Sequence, residues 1–139
     1  MAVANTAPVF SLTGNIGWGT TALTAANTAK DGTGTTLTVC TADATNGSFV
    51  QRIRFRAAGT NVATVARVFI NNGSSSATPG NNILWDEITL SATTLSEVAA
   101  LATYELPLNF VLPAGYKFLI ALGTAVSAGY YISVIGGNY

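Results

Sequence analysis

The chain has 139 residues, no histidine and a single cysteine, Cys40. Only 9% of its residues are charged, against about 25% in a typical soluble domain, and its formal net charge is zero. This length suits one domain, and the neutral balance excludes the broad basic surface of a nucleic-acid-binding protein. A surface with so little charge is poorly suited to keeping a monomer soluble, and it favours burial against other copies or a larger assembly.

The N-terminal part of the chain carries no charged side chain up to residue 29. Residues 8–12 are a candidate first strand, and residues 15–20 are interpreted as a turn that holds Trp18 as a buried or docking side chain. We therefore predict that residues 1–34 form an arm and loop that pack on a neighbouring subunit or on another component of a larger assembly. The segment lacks the features of a secretory signal, and no apolar run in the chain reaches the length of a membrane helix.

From residue 35 onwards, apolar and polar residues alternate with a period of two, which is typical of β-strands. Turn residues separate the predicted strands, which cover residues 35–42, 49–57, 62–71, 83–90, 103–112, 116–122 and 130–135. Short strands at this spacing predict a sandwich or barrel over residues 35–139, within a single domain overall. Thr94 and Glu97 match a capping box, which predicts one short helix over residues 94–101.

Three of the six basic residues lie on one predicted strand, residues 49–56. The alternation predicts two faces, with Arg52, Arg54 and Arg56 on one and Phe49, Ile53 and Phe55 on the other. A chain that uses charge so sparingly is expected to use this arginine surface for contact. A solvated outer face is the alternative interpretation.

Turn residues at 58–61 predict that this strand forms a hairpin with residues 62–71. In the register that keeps both apolar faces together, Arg52 lies opposite Arg67 and Phe55 lies opposite Thr64. Like charges placed directly across a sheet repel each other unless a carboxylate lies between them. The candidate carboxylates are Asp86, Glu87 and Glu105, or those of a neighbouring subunit.

The absence of histidine excludes Ser-His-Asp and Cys-His nucleophilic sites as well as histidine-rich metal sites. Asp86 and Glu87 are adjacent, so on a strand they point to opposite faces and cannot act as a facing pair. We therefore expect no catalytic residue, no metal and no cofactor. Cys40 is interpreted as a small buried hydrophobe. Packing is favoured for Trp85, whereas the role of Trp18 stays open between stacking on a sugar and docking on a protein.

The chain also resembles a known group of proteins, through several segments that combine strand and turn patterns. These are the arginine strand, Arg67-Val68-Phe69-Ile70-Asn71-Asn72-Gly73, Ile83-Leu84-Trp85-Asp86-Glu87-Ile88-Thr89-Leu90, Thr94-Leu95-Ser96-Glu97, Leu112-Pro113-Ala114-Gly115-Tyr116-Lys117 and Gly136-Gly137-Asn138-Tyr139. They resemble the jelly-roll decoration, or cement, proteins that bind the outside of tailed-bacteriophage heads. The likeness covers roughly residues 35–139. It implies a symmetric oligomer that binds the major capsid protein.

The expected fold is all-β, a jelly-roll sandwich of about eight antiparallel strands with at most one short helix. The expected function is that of a structural virion protein, not an enzyme, made in the bacterial host cytoplasm and placed on the capsid surface. We expect a homotrimer with no nucleic-acid or membrane partner. A receptor- or carbohydrate-binding module of a tail fibre stays open as the alternative. The residues expected at the capsid or subunit interface are Arg52, Arg54, Arg56, Arg67, Trp18 and Tyr139.

Overall fold

A computed structural model of the chain describes residues 11–139, which form eight β-strands and one short 3-10 turn. The strands are β1 (Thr13–Trp18), β2 (Leu37–Thr41), β3 (Ser48–Ala57), β4 (Thr64–Asn71), β5 (Asn82–Leu90), β6 (Thr103–Leu112), β7 (Lys117–Leu122) and β8 (Tyr130–Asn138). The 3-10 turn, Pro79–Asn81, directly precedes β5. The prediction of an all-β chain is confirmed, and each strand predicted after residue 35 is present with its ends shifted by a few residues.

The strands form two four-stranded antiparallel sheets. Sheet 1 has the order β1-β8-β3-β6, and sheet 2 has the order β2-β7-β4-β5. The chain crosses from one sheet to the other at almost every connection, and β4 and β5 are the consecutive strands that pair with each other. This strand order is that of the eight-stranded jelly roll, so the predicted fold class is confirmed.

The core lies between the two sheets and is made by the inward-facing residues of nearly every strand. Its largest fully buried side chains include Tyr130 and Phe55 from sheet 1 and Phe118 from sheet 2. The alternation of apolar and polar residues in the sequence therefore corresponds to an inner face in the core and an outer face at the surface.

The predicted hairpin between β3 and β4 is wrong. Strand β3 lies in sheet 1 between β8 and β6, whereas β4 lies in sheet 2 between β7 and β5. Arg52 and Arg67 therefore belong to different sheets and are not cross-strand neighbours. Strands that face each other across a core show the same alternation as strands that pair in a hairpin, so alternation alone does not separate the two arrangements.

Phe49 is also misplaced in the sequence analysis. The register between β3 and β8 shifts between Val50 and Arg52, which inserts Gln51 as an extra residue in β3. A bulge of this kind reverses which residues face inwards. As a result Ser48 and Val50 are buried on the inner side, whereas Phe49 is only partly buried.

The predicted helix over residues 94–101 is absent, and this segment is an irregular loop between β5 and β6. A helix of two turns is marginal without an apolar face to bury, and here Leu95 and Val98 are both exposed. The loop is held instead by hydrogen bonds at its base, where Leu95 N–H donates to Thr60 Oγ1 at 3.0 Å. No helix in the described part of the chain is long and apolar enough to cross a membrane.

The prediction that residues 1–34 lie outside the sandwich is wrong for the part that the structure describes. Thr13–Trp18 forms β1, an edge strand of sheet 1 that pairs along its whole length with β8. Trp18 thus lies on a strand and not in a turn. Residues 1–10, including most of the candidate strand 8–12, lie outside the described residues.

The loop between β1 and β2 contacts the outer face of sheet 2. Arg67 Nη1 donates to the Asn27 carbonyl at 3.2 Å, and Asn82 Nδ2 donates to the Asp31 carbonyl at 3.0 Å. Beneath this loop, Phe69, Leu119 and Ala121 form a second apolar cluster that is buried although it faces away from the main core. The outer face of sheet 2 is therefore partly covered by the chain itself.

Candidate functional site

The outer face of sheet 1 carries the arginines of β3, with strand β8 on one side and β6 on the other. Arg54 pairs with Ser133 of β8, and Arg56 pairs with Tyr131. Ser133 pairs in turn with Trp18 of the edge strand β1. Period-two alternation puts these residues on one surface, which we call the arginine face. The prediction that Arg52, Arg54 and Arg56 share one outer face agrees with this arrangement.

Large apolar side chains are exposed on the same face. Trp18 is 66% exposed and Tyr131 is 59% exposed, and Ile16 and Val111 are each more than half exposed. They extend from β1 across the sheet to β6. Exposed large apolar side chains grouped on one face of a sheet are a feature of interaction sites in soluble proteins.

Trp18, Arg54, Arg56 and Tyr131 surround a concavity of about 390 Å³, whose other lining residues are Gly19, Ile132 and Ser133. The two exposed aromatic rings and the two guanidinium groups are contributed by β1, β8 and β3. Guanidinium groups bind carboxylates through paired N–H donors, and aromatic faces pack against apolar groups. The concavity therefore suits a ligand that presents a carboxylate together with an apolar surface.

The arginine face has more positive than negative charge. Glu105 of β6 lies 3.7 Å from Arg52 Nε and 3.8 Å from Arg54 Nε, distances that bring the charges together without a hydrogen bond. Arg52 Nε is buried and has no hydrogen-bond acceptor within the described residues. Arg56 donates to Thr103 Oγ1 at 2.9 Å and forms no ion pair there. One carboxylate thus lies beside two of the three guanidinium groups, and the third, that of Arg56, has no carboxylate partner in the described residues.

Two residues of the predicted interface lie elsewhere. Arg67 lies on sheet 2, where its Nε donates to Glu87 Oε1 at 2.8 Å and its side chain is only 11% exposed. Tyr139 follows the last strand, at the end of β8 remote from the residues that pair with Trp18, and its N–H donates to the Gly47 carbonyl at 3.3 Å. Arg67 fastens the β1–β2 loop, so it acts in the fold and not on the arginine face.

Trp85 lies on the edge strand β5 and is half exposed. Its ring packs against Phe110 of β6, with ring centroids 5.1 Å apart. Because β5 and β6 belong to different sheets, this aromatic pair closes one side of the sandwich. The contact agrees with the packing role favoured for Trp85.

Two residues of the site, Tyr131 and Ile16, were not among the six expected at the interface. Tyr131 alternates with the buried residues Tyr130 and Ile132, so its outward orientation was available from the pattern. Ile16 was placed in a turn, because glycines flank it at positions 14 and 17. Only the pairing of β1 with β8 brings both residues beside the arginines.

Few titratable side chains of the described residues lie close together or inside the sandwich. Within residues 11–139, no group of three or more Cys, Asp or Glu side chains is arranged to hold a metal ion. Burial raises the pKa of the Cys40 thiol, which keeps it protonated and unreactive. Burial also raises the pKa of Tyr130, whose ring is part of the core.

Comparisons with protein-family models, with curated proteins and with solved structures find no match to this chain.

Proposed function

We propose that this chain is a structural virion protein that binds and stabilises the outside of a phage capsid as a symmetric oligomer. The observation that carries the proposal is the arginine face, a surface of exposed aromatic side chains and incompletely paired arginines on a jelly-roll sandwich. The resemblance to jelly-roll decoration proteins supports the same function.

The composition of the arginine face favours a protein partner. Tyrosine, tryptophan and arginine are the residue types most enriched at protein interfaces. An acidic partner supplies the carboxylate that Arg56 lacks, and it also buries Trp18 and Tyr131. Nucleic acid is disfavoured as a partner, because a neutral chain with one short row of arginines lacks the wide positive surface that phosphate binding requires.

One specific observation favours a second candidate, a receptor- or carbohydrate-binding module of a tail fibre. The concavity beside Trp18 and Tyr131 has a volume suited to a small ligand, and its two guanidinium groups suit an acidic sugar. Ile16 and Val111 are also exposed on this face but do not line the concavity, so a single sugar bound there leaves them uncovered. A protein partner accounts for the whole surface.

Immunogold electron microscopy separates the two functions in particles of the phage that encodes the chain. We expect antibodies against the chain to label the head surface. Labelling of the tail fibres, together with binding of an acidic oligosaccharide that is lost in Trp18→Ala, would establish the second function instead. Purified particles that contain no copy of the chain would reject both.

The role of the arginines is tested by the occupancy of the particle. A variant with Arg52→Gln, Arg54→Gln and Arg56→Gln is expected to bind particles more weakly, because it loses all three guanidinium groups of the arginine face. Lys30→Gln is the matched control, since it removes a positive charge from an exposed loop away from this face. Equal occupancy for the triple variant and the wild type would restore the interpretation of a solvated sheet face.

A further inference from the structure

The loop between β5 and β6 carries an exposed carboxylate and exposed apolar side chains that complement the arginine face. Val98 is 97% exposed and Leu95 is 54% exposed, and the exposed carboxylate of Glu97 lies between them. Two exposed apolar side chains that flank a carboxylate match a concavity with aromatic walls and guanidinium groups. The chain thus presents both halves of a complementary contact.

The pairing of charges within one copy selects the same residues. Within residues 11–139, Glu97 is the acidic side chain that accepts no hydrogen bond and forms no ion pair. The others accept hydrogen bonds or pair with arginines. Arg56 is the arginine without a carboxylate partner in the same range. Within the described residues Lys30 and Lys117 also form no ion pair, and Arg56 is the unpaired basic side chain that lines the concavity.

Within one copy Glu97 forms no ion pair with Arg56, so the loop and the concavity are both open to contact with another copy. The loop ends at Thr103, the first residue of β6, which is the edge strand on one side of sheet 1. Trp18 lies on β1, the edge strand on the other side. Thr103 and Trp18 lie at the same end of the sandwich. Thr103 pairs with Arg56, whereas Trp18 pairs with Ser133, which pairs in turn with Arg54, two residues from Arg56 along β3. A contact between two different surfaces of neighbouring copies is a head-to-tail contact, which generates a ring when the rotation closes.

The loop is already held in place before any such contact. Asn61 and Thr93 exchange two backbone hydrogen bonds of 3.1 and 2.9 Å at its base. Val98 N–H donates to Ser96 Oγ at 3.2 Å within the loop. Less conformational freedom is lost on binding when a segment is ordered beforehand.

We propose that residues 95–98 of one copy bind in the concavity formed by Trp18, Arg54, Arg56 and Tyr131 of the next copy, with Glu97 paired to Arg56. A second copy is the occupant, because this chain supplies the unpaired carboxylate and the exposed apolar side chains together. The inference rests on the oligomeric part of the proposed function and defines the contact between subunits. A face-to-face contact of two arginine faces is disfavoured, because it would bring like charges together.

Charge reversal tests the contact by sedimentation equilibrium. Glu97→Lys and Arg56→Glu are each expected to raise the subunit dissociation constant at least tenfold, and the double variant Glu97→Lys/Arg56→Glu is expected to recover most of that loss. Asp86→Lys is the matched control, since it makes the same charge change on an exposed edge strand and is expected to leave assembly unchanged. Val98→Ser tests the apolar part of the contact and is expected to weaken assembly without a change in charge.

Circular dichroism and the urea midpoint of each variant confirm that assembly is compared between folded chains. A monomeric wild type would overturn the inference, as would a double variant no better than the weaker single variant. Particle occupancy is measured separately. Particles labelled by a chain that is monomeric in solution would refute the contact and the oligomeric part of the proposed function, but not the binding to the capsid. A chain that forms rings but is absent from particles would refute the binding to the capsid and leave the contact standing.

Discussion

Gly17 of β1 lies directly against the backbone of Val39 in β2. A Cβ atom at Gly17 would be only 2.5 Å from the Val39 carbonyl oxygen. The two strands belong to different sheets, so this close approach joins sheet 1 to sheet 2 along one side of the sandwich. It also fixes the position of Trp18, the next residue along β1.

Gly17→Ala is therefore expected to lower the free energy of unfolding by about 1–3 kcal/mol, because backbone atoms must shift to make room for the methyl group. Gly14→Ala is the matched control on the same strand, since a Cβ there meets no atom within 4 Å. Urea denaturation of both variants measures the difference. Equal stability of the two variants would show that β1 does not depend on this contact.

Asn61 holds together three loops at the end of the sandwich. Its Oδ1 accepts the N–H groups of Ala128 and Gly129 at 2.9 and 2.8 Å, and its Nδ2 donates to the Gly129 carbonyl at 3.0 Å. Its backbone pairs with Thr93 at the base of the loop between β5 and β6. The side chain is buried, so each of these polar groups depends on its partner.

Asn61→Ala is expected to cost roughly 2–4 kcal/mol of stability, because it leaves buried backbone groups without partners. Asn61→Asp keeps the shape but replaces the amide donor with an oxygen that faces the Gly129 carbonyl. It is expected to destabilise the chain as well, with a smaller loss in acid, where the carboxyl group regains a proton to donate. Thermal unfolding at two pH values measures both effects, and an unchanged melting temperature for Asn61→Ala would contradict the role of this side chain.

The sequence determined the strands well, because the alternation of apolar and polar residues is local. The sequence did not determine which strands pair, because alternation shows which face of a strand is buried and not which strand lies beside it. The predicted partner of β3 was therefore wrong, although its arginines were assigned to the outer side. Strand β1 was not predicted, because its glycine-rich sequence was interpreted as a turn.

The candidate site was predictable only in part for the same reason. Arg54 and Arg56 come from one strand, and their shared face follows from a period of two. Trp18 and Tyr131 come from β1 and β8, and only the completed sheet brings them beside the arginines. Arg67 was assigned to the same site because the predicted hairpin placed it opposite Arg52, whereas in the structure it lies on the other sheet and holds the β1–β2 loop.

Arg67 is expected to contribute to stability and not to assembly. Arg67→Ala removes a nearly buried side chain, its bond to Glu87 and its bond to the Asn27 carbonyl, and is expected to cost roughly 2–3 kcal/mol. Glu87→Gln keeps an acceptor on a largely exposed side chain and is expected to cost under about 1 kcal/mol. Urea denaturation gives both values, and a larger loss for Glu87→Gln than for Arg67→Ala would reverse this assignment.

Asp43 makes the turn between β2 and β3 sensitive to acid. Hydrogen bonds from the backbone N–H groups of Asn46, at 2.8 Å, and Thr45, at 3.0 Å, lower the pKa of the Asp43 carboxyl group. The folded chain therefore favours the ionised carboxylate more than the unfolded chain does. This contribution to the free energy of unfolding is complete above the ordinary aspartate pKa of about 3.9 and is lost as the pH falls through the lower folded value.

The difference in stability between the wild type and Asp43→Ala is therefore expected to be constant from about pH 7 down to pH 5 and to shrink below about pH 4. Asp43→Asn is the control, because its amide oxygen accepts the same hydrogen bonds but does not titrate. The difference between Asp43→Asn and Asp43→Ala is expected to stay independent of pH over the same range. Chemical denaturation at a series of pH values provides the comparison. A wild-type advantage over Asp43→Ala that persists unchanged in strong acid would show that the two hydrogen bonds do not depend on the charge of the carboxylate.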